Sequence, residues 1–341
     1  MEKILSVSIA AYNVEKTLRE ALDPFLSEGI REYVDVMIVN DGSKDSTPDI
    51  ALEYQNMYPD TFRLINKENG GWGSTLNVGM KNARGKYFKQ LDGDDFFSHE
   101  NLADFIQFLS QTDADYVHSP YVTYEDGTGG IIKQHGMYEW GYWNFPLDKT
   151  IDIEECDALY PAMHSATIKT SVLKENNITI LEHCFYTDNE FVYKSFNCCN
   201  TIAFYEKTVY WYRLARDGQS MSITGVRKHY QDHLKMLKTM VDYYNEEVKT
   251  DFKKMVIGRR IEGICDFMYI FFFALECTAE QKKEIKEYDE WLLTTAPNFY
   301  HKIKGRQVNL LRKTKFFGYK VIAAQKMRKD KRLKRNLFEG N

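Results

Sequence analysis

No apolar run in this 341-residue chain approaches the roughly 20 residues that cross a bilayer; the longest, Phe267–Leu275, has nine. A membrane-spanning helix is therefore not expected. Cysteine is also sparse, and the six copies (Cys156, Cys184, Cys198, Cys199, Cys265, Cys277) follow neither a disulfide framework nor a zinc-binding spacing. Strand-like sequence begins within five residues of Met1, which leaves no room for a signal peptide, so a reduced, cytoplasmic setting is expected. Internal repeats and low-complexity linkers are missing too. What is present is 43% hydrophobic and 28% charged residues, enough for a sizeable core under a polar surface. That balance fits neither a disordered chain nor a fibre, and the length suggests two domains or one large elaborated one.

Charge is unevenly spread. Residues 301–341 hold 14 Lys and Arg against two acids, so the first 300 residues carry a net charge of −16 within a total of −4. An acidic body argues against nucleic-acid binding, which needs a basic groove. The basic tail calls for a separate explanation.

The first hundred residues alternate β-type runs with helical patterns, which predicts an α/β fold with a mostly parallel sheet flanked by helices. Strands are expected at Leu5–Ala11, Val34–Val39, Phe62–Ile65 and Lys86–Leu91, with helices at Val14–Leu26, from Ser46 and Pro48 to Tyr58, and at Ser74–Ala83. Beyond Asp95, Tyr116–Tyr124 and Ile131–Gln134 are expected to form a hairpin around Glu125-Asp126-Gly127. The aromatic run Tyr138, Trp140, Tyr142, Trp143, Phe145 follows, as hairpin core or as a surface for sugar rings. From Val226 the pattern turns helical, in segments near Val226–Lys249, Asp251–Leu275 and Ala279–Leu293.

Each of the first four strands ends on polar residues: Tyr12 and Asn13, Asn40 and Asp41, Glu68 to Gly71, then Asp92, Asp94 and Asp95. Ligands bind at the carboxyl ends of strands in an open parallel sheet, so these four ends are expected to share one crevice. Asp92-Gly93-Asp94-Asp95 packs three carboxylates into four residues, and like charges so close call for a cation. Hard oxygen ligands suit Mg²⁺ or Mn²⁺. An EF-hand fails, because Phe96 and Phe97 stand where ligand and glycine are required. A plain acidic turn is the alternative. Asn69-Gly70-Gly71 leads into a helix, where backbone N–H groups can meet a phosphate, or it is simply a strand-to-helix turn. It lacks the lysine of a P-loop and the last glycine of the dinucleotide fingerprint.

Taken together, Ser8-Ile9-Ala10-Ala11-Tyr12-Asn13, Val39-Asn40-Asp41-Gly42-Ser43, Asn69-Gly70-Gly71 through Asn77-Val78-Gly79, and Ala83-Arg84-Gly85-Lys86-Tyr87 into Leu91-Asp92-Gly93-Asp94-Asp95 resemble glycosyltransferase family 2 in order and spacing. The resemblance implies a GT-A fold, a nucleotide diphosphate sugar donor, usually UDP-linked, and transfer with inversion to a glycan or lipid-linked acceptor. By position it implies that Ala11 and Tyr12 flank the base and Asp41 hydrogen-bonds it. Asp92 would face ribose and metal, and Asp94 would ligate Mn²⁺ or Mg²⁺. The family's general base usually follows a Glu in a Glu-Asp pair; here Thr187-Asp188 occupies that place, so Asp188 is the expected base, with Glu190 as the substitute. Tyr210-Trp211-Tyr212-Arg213 followed by Gln219-Ser220-Met221-Ser222 resembles a segment beyond the catalytic helix, from which Arg213 would approach the diphosphate. The resemblance also implies that His164 precedes a segment lining the acceptor side, although a lone histidine is more often structural.

The expected layout is a catalytic domain over 1–223, a helical region over 224–300 and a basic tail over 301–341. A sugar-nucleotide-forming nucleotidyltransferase, and a module that binds a nucleotide sugar without transfer, are the rivals. In the tail, Leu310, Phe317, Val321 and Ala324 fall on one helical face between basic residues. That pattern suits an anionic membrane surface, a solvated tail, or a helix packed on the acidic body.

Overall fold

Along Leu5–Ala11, Leu5, Val7, Ile9 and Ala11 alternate with Ser6 and Ser8, and all six are fully buried. A strand covered on both faces belongs in the middle of a parallel sheet. In the computed structural model, which describes residues 2–126, 128–135, 147, 149–156, 159–214 and 223–332, this strand (β1) pairs in parallel with both its neighbours.

From β1 the chain runs through a short helix α1 (Leu18–Leu22), β2 (Val34–Asn40), α2 (Thr47–Met57), β3 (Phe62–Asn66), α3 (Trp72–Asn82) and β4 (Tyr87–Asp92). It continues through β5 (Phe96–Phe97), α4 (Leu102–Gln111), β6 (Tyr116–His118), β7 (Tyr121–Glu125), β8 (Ile131–His135) and β9 (Ile151–Asp152). β10 (Ala166–Lys169), α5 (Thr170–Glu175), α6 (Asp188–Cys198), β11 (Thr201–Phe204) and β12 (Tyr210–Leu214) complete the first unit, Met1–Arg216.

Among the described residues, eight strands form the main sheet in the order β3-β2-β1-β4-β10-β6-β11-β9, with β10 antiparallel to both its neighbours. A second sheet, β5-β12-β7-β8, has four strands. The four strands predicted up to Asp92 are parallel and adjacent, so their carboxyl ends do lie along one edge.

Two expectations are corrected. The helix predicted over Val14–Leu26 is α-helical only across α1 and continues as a 3-10 turn over Asp23–Leu26, because Pro24 brings no N–H for an α-helical bond. The run Tyr116–Tyr124 is not one strand: Pro120 breaks the ladder, so β6 joins the main sheet while β7 pairs with β8 and β12 in the second. The 138–145 aromatics lie outside the described residues, as do Gln219 to Ser222.

The second unit, Asp217–Asn341, is helical: α7 (Ile223–Glu247), α8 (Asp251–Ala274), α9 (Ala279–Thr295), α10 (Pro297–Tyr300), α11 (Arg306–Lys313) and α12 (Tyr319–Arg332). The longest apolar run falls in α8 and is core, with Met268, Tyr269, Phe271, Phe272 and Phe273 buried. Among the described residues no helix is long and apolar enough to cross a membrane. α11 and α12 are built into this unit: Val308, Leu311, Tyr319, Ile322 and Ala323 are buried, and the Tyr319 hydroxyl donates to the Phe272 carbonyl at 2.6 Å. Arg312 pairs with Asp289 at 2.8 Å and lies 3.6 Å from the centre of the Tyr300 ring.

One close backbone approach ties α3 to the segment that precedes α6. A Cβ on Gly73 would stand 2.1 Å from the Leu181 carbonyl oxygen, so only glycine fits. Gly73→Ala is expected to lower stability by about 1–3 kcal/mol through overpacking. Urea unfolding checks this, and an unchanged midpoint would contradict the packing described.

Candidate active site

The end of β2 organises the glycine loop. Asp41 is buried and its carboxylate accepts from Gly70 N at 2.9 Å, Gly71 N at 2.9 Å and Lys67 Nζ at 2.7 Å. Gly71 adopts φ +82°, a left-handed conformation that a side chain would strain. The Gly70 and Gly71 N–H groups are thus spent on a protein carboxylate rather than presented to a phosphate. Asn69 closes the loop from outside, its Nδ2 donating to the Asp41 carbonyl at 2.9 Å. At the end of β1, Ala11 is buried and accepts at its carbonyl from Asp41 N, while Tyr12 is half exposed beside it.

At the end of β4, oxygens of Asp92, Asp94 and Asp95 lie within 4.8 Å of one another. Gly93 permits the tight turn, for a Cβ there would meet the Ala10 carbonyl oxygen at 2.8 Å. Asp95 is buried and committed to structure: it accepts from the Tyr210 hydroxyl at 2.6 Å and from Arg213 N at 2.8 Å. Burial, then the nearby Asp94 and Asp92, push its carboxyl well above the usual range. Asp92 accepts from the Trp72 indole N–H at 2.6 Å. Burial raises its pKa to about 7, helped by the charges of Asp94 and Asp188, with the Trp72 bond opposing.

Asp188 opens α6 and is near enough to act electrostatically on Asp92. Thr187 is the N-cap residue but makes no side-chain cap bond. Glu190 is buried and engaged, accepting from Lys194 Nζ at 2.6 Å and from Leu181 N at 3.0 Å. Arg213 sits behind the acidic turn. Its guanidinium donates to the Asp94 carbonyl at 2.7 Å and pairs with Asp126 at 2.6 Å and with Glu20, which directs these donors into the protein rather than toward a diphosphate.

His164 is enclosed by rings, with centroids 4.4 Å from Tyr212 and 4.8 Å from both Tyr121 and Tyr210. Burial, with Lys89 and His135 nearby, lowers its pKa to about 3, so it is neutral at pH 7. Lys89, missed in the sequence, is buried within β4 and donates to the carbonyls of His164 at 2.9 Å and Ala166 at 3.1 Å. Trp72 was missed as well. The signal available for it was a single large donor side chain set among the glycines of Gly70-Gly71-Trp72-Gly73.

Asp92 and Asp94 form a hard-oxygen pair that fits Mg²⁺ or Mn²⁺, ions that take one or two protein carboxylates and leave positions for substrate phosphates. Asp95 is held back from that set by Tyr210 and Arg213.

The family model described as glycosyl transferase family 2 matches residues 6–176, half of the chain. An uncharacterised glycosyltransferase of Rickettsia prowazekii is 36% identical over 165 residues, 48% of this chain and 47% of that protein; the chain matches only about half the length of such curated relatives. The poly(ribitol-phosphate) β-N-acetylglucosaminyltransferase TarS of Staphylococcus aureus is 22% identical over 82% of this chain and 47% of its own length. In structure, S. aureus TarS 1-349 in complex with UDP matches with a TM-score of 0.62 at 17% identity, over 95% of this chain and 91% of that one. A mannosyltransferase from Pyrobaculum calidifontis in complex with GDP-Man and Mn²⁺ matches at a TM-score of 0.51 and 14% identity, over 100% and 89%. These likenesses establish the fold as the GT-A type.

The Trp72 bond stabilises the charged form of Asp92, so removing it favours the proton. Trp72→Phe is expected to move the Asp92 titration upward from about 7, by roughly one unit for a lost bond to a charged group. Carbon-13 NMR of labelled aspartate carboxyls reads the shift, and a downward or absent change would contradict it.

Proposed function

The chain belongs to glycosyl transferase family 2, and from that premise we propose that it is an inverting, metal-dependent transferase that moves a hexosyl or N-acetylhexosaminyl group from a UDP-sugar to a hydroxyl of a glycan or lipid-linked acceptor. The observation that carries this reading is that Asp188, on α6, acts electrostatically on Asp92 at the end of β4, where oxygens of Asp92 and Asp94 lie together. An acid that would take the proton thus lies within electrostatic reach of the acids that would hold a cation. UDP and UDP-GlcNAc in the TarS complexes support a UDP-linked donor, and the poly(ribitol-phosphate) β-N-acetylglucosaminyltransferase activity of TarS supports an N-acetylhexosamine and a role in polysaccharide biosynthesis. Mn²⁺ in the P. calidifontis complex supports a divalent cofactor.

In this reading the acceptor oxygen bonds to the anomeric carbon as the bond to the diphosphate breaks; Asp188 takes the hydroxyl proton, and the electron pair leaves with the diphosphate. A bound divalent ion would offset the charge gathering on that leaving group. Asp92 and Asp94 would hold the ion, and Trp72 fixes the orientation of Asp92. Glu190 serves poorly as the base, since Lys194 and the Leu181 N–H already occupy its oxygens. Arg213 acts by holding the Asp94 backbone, and Tyr12 and Asp41 by framing the base. The setting is cytoplasmic, at the inner face of a membrane, where a soluble donor and a membrane-borne acceptor meet.

The nucleotidyltransferase alternative needs a free cation beside the glycines to grip a triphosphate. Lys67 does not supply it: its ammonium donates to Asp41, to the Glu68 carbonyl and to Ser74 Oγ. A module that only binds would release no UDP when donor and acceptor are mixed.

Calorimetry is expected to show UDP binding with Mn²⁺ that EDTA abolishes, and weaker Mn²⁺ binding at pH 6 than at pH 8. The sign follows from Asp92: below its pKa of about 7 a proton competes with the ion. Asp94→Ala should remove the Mn²⁺ dependence and leave the circular dichroism spectrum unchanged. Equal UDP affinity with Mn²⁺ and with EDTA would sink the metal role.

Asp188→Asn is expected to keep UDP affinity while turnover drops by about a hundredfold or more, the range of a lost general base. Turnover near that of the unaltered chain with an authentic acceptor would remove Asp188 from the mechanism.

A further inference from the structure

We propose that the outward face of the turn and helix formed by residues 313–329 docks on an anionic lipid bilayer, with Phe317 and Val321 entering the interface between headgroups and acyl chains. α11 and α12 have two apolar faces. One is consumed by the helical unit, through Val308, Leu311, Phe316, Tyr319, Ile322 and Ala323. The other stays out: Phe317 is 83% exposed, the most exposed large apolar side chain among the described residues, and Val321 is 61% exposed. Phe317, Val321 and Ala324 follow one another at helical spacing, so they form a stripe rather than scattered contacts.

The backbone holds that stripe outward. Lys315 and Phe316 take φ of +48° and +65°, left-handed conformations that cost energy for residues other than glycine. The result is that Phe316 turns into the core and its neighbour Phe317 turns to solvent. Cations surround the stripe. Lys313, Lys315, Lys320, Arg328 and Lys329 are exposed, and Lys282 of α9 stands 4.9 Å from the centre of the Phe317 ring. Between His301 and Lys329 there is no acidic residue.

A narrow apolar stripe flanked by basic side chains, on a segment with no acid between His301 and Lys329, is complementary to an anionic leaflet, in which the cations meet headgroups while the apolar tips enter. The charge is also the reason for choosing lipid over a second copy of this chain: the stripe and its cations would face the same stripe and cations, and like charge would oppose the contact. Docking needs neither donor nor acceptor chemistry, so it stands or falls separately from the transferase reading; Asp188→Asn should bind vesicles as the unaltered chain does.

Co-sedimentation of the full chain with vesicles of phosphatidylcholine, alone or with about 30% phosphatidylglycerol, tests the proposal. Binding is expected to the anionic vesicles only and to weaken at high salt. Phe317→Ser with Val321→Ser, and separately Lys313→Glu with Lys315→Glu and Lys320→Glu, should each weaken it by about tenfold or more. All five positions are exposed, so circular dichroism and the thermal midpoint should not change. Equal pelleting with both vesicle types overturns the proposal. So does binding that follows salt but ignores the serine variant, since the surface would then serve a soluble polyanion. A dimer that the serine variant dissolves, with vesicle binding intact, also overturns it by making the stripe an interface between copies.

Discussion

Carboxylates crowded together in partly buried space set the terms for everything around them. Asp92, Asp94 and Asp95 follow one another at the end of β4, and Asp188 adds a fourth acid from α6. Left alone such a group would protonate, because desolvation and like-charge repulsion both disfavour the ionised form. The fold answers each acid differently. Asp95 receives a hydroxyl and a backbone N–H from β12, which makes it a structural post linking the two sheets. Asp92 receives an indole N–H from α3, and burial keeps both carboxyls raised. What separates the two is their partners: Asp95 is tied into the fold by β12, whereas the proposed metal role falls to Asp92.

The second sheet makes sense on the same terms. β12 supplies Tyr210 and Arg213, and Arg213 reaches the Asp94 carbonyl from behind the turn while Glu20 and Asp126 balance its charge. His164 and Lys89 extend the support. The lysine ties the chain at His164 and Ala166 to β4, and the neutral imidazole packs among Tyr121, Tyr210 and Tyr212. A cation and a ring that look functional in isolation are used to hold the acidic turn and the residues facing it in register.

How much of this the sequence disclosed depends on the distance over which each feature is decided. β1 to β4 and the helices between them follow from local periodicity, and the strand ends follow from where that periodicity stops, so Asp41, Asp92 and Asp94 could be picked out directly. Pro24 and Pro120 were also visible, and reading them as breaks would have shortened the first helix and divided Tyr116–Tyr124 between two sheets. What could not be seen locally were pairings across long sequence distances: Trp72 with Asp92, Tyr210 with Asp95, Lys89 with the carbonyl of His164. The same limit shaped the view of the basic segment. Its stripe of Leu310, Phe317, Val321 and Ala324 was legible by spacing, but the second face of those helices, Val308 to Ala323, is recognisable as core only once α8 lies against it.

Asp41 shows how a role suggested by resemblance and a set of observed contacts can be reconciled by counting. An ionised carboxylate offers about four lone-pair positions. Gly70 N, Gly71 N and Lys67 Nζ take three of them at 2.7 to 2.9 Å, and Ser74 Oγ at 3.4 Å is too distant to claim the fourth firmly. The fourth position is the one that the contact implied by the resemblance would need, on a side chain only 4% exposed. The carboxylate that would hold the base is therefore also the one that shapes the glycine loop, and through Gly71 it fixes the start of α3, where Trp72 reaches Asp92. The base end and the metal end of a bound donor would be joined by one short, rigid path through the protein.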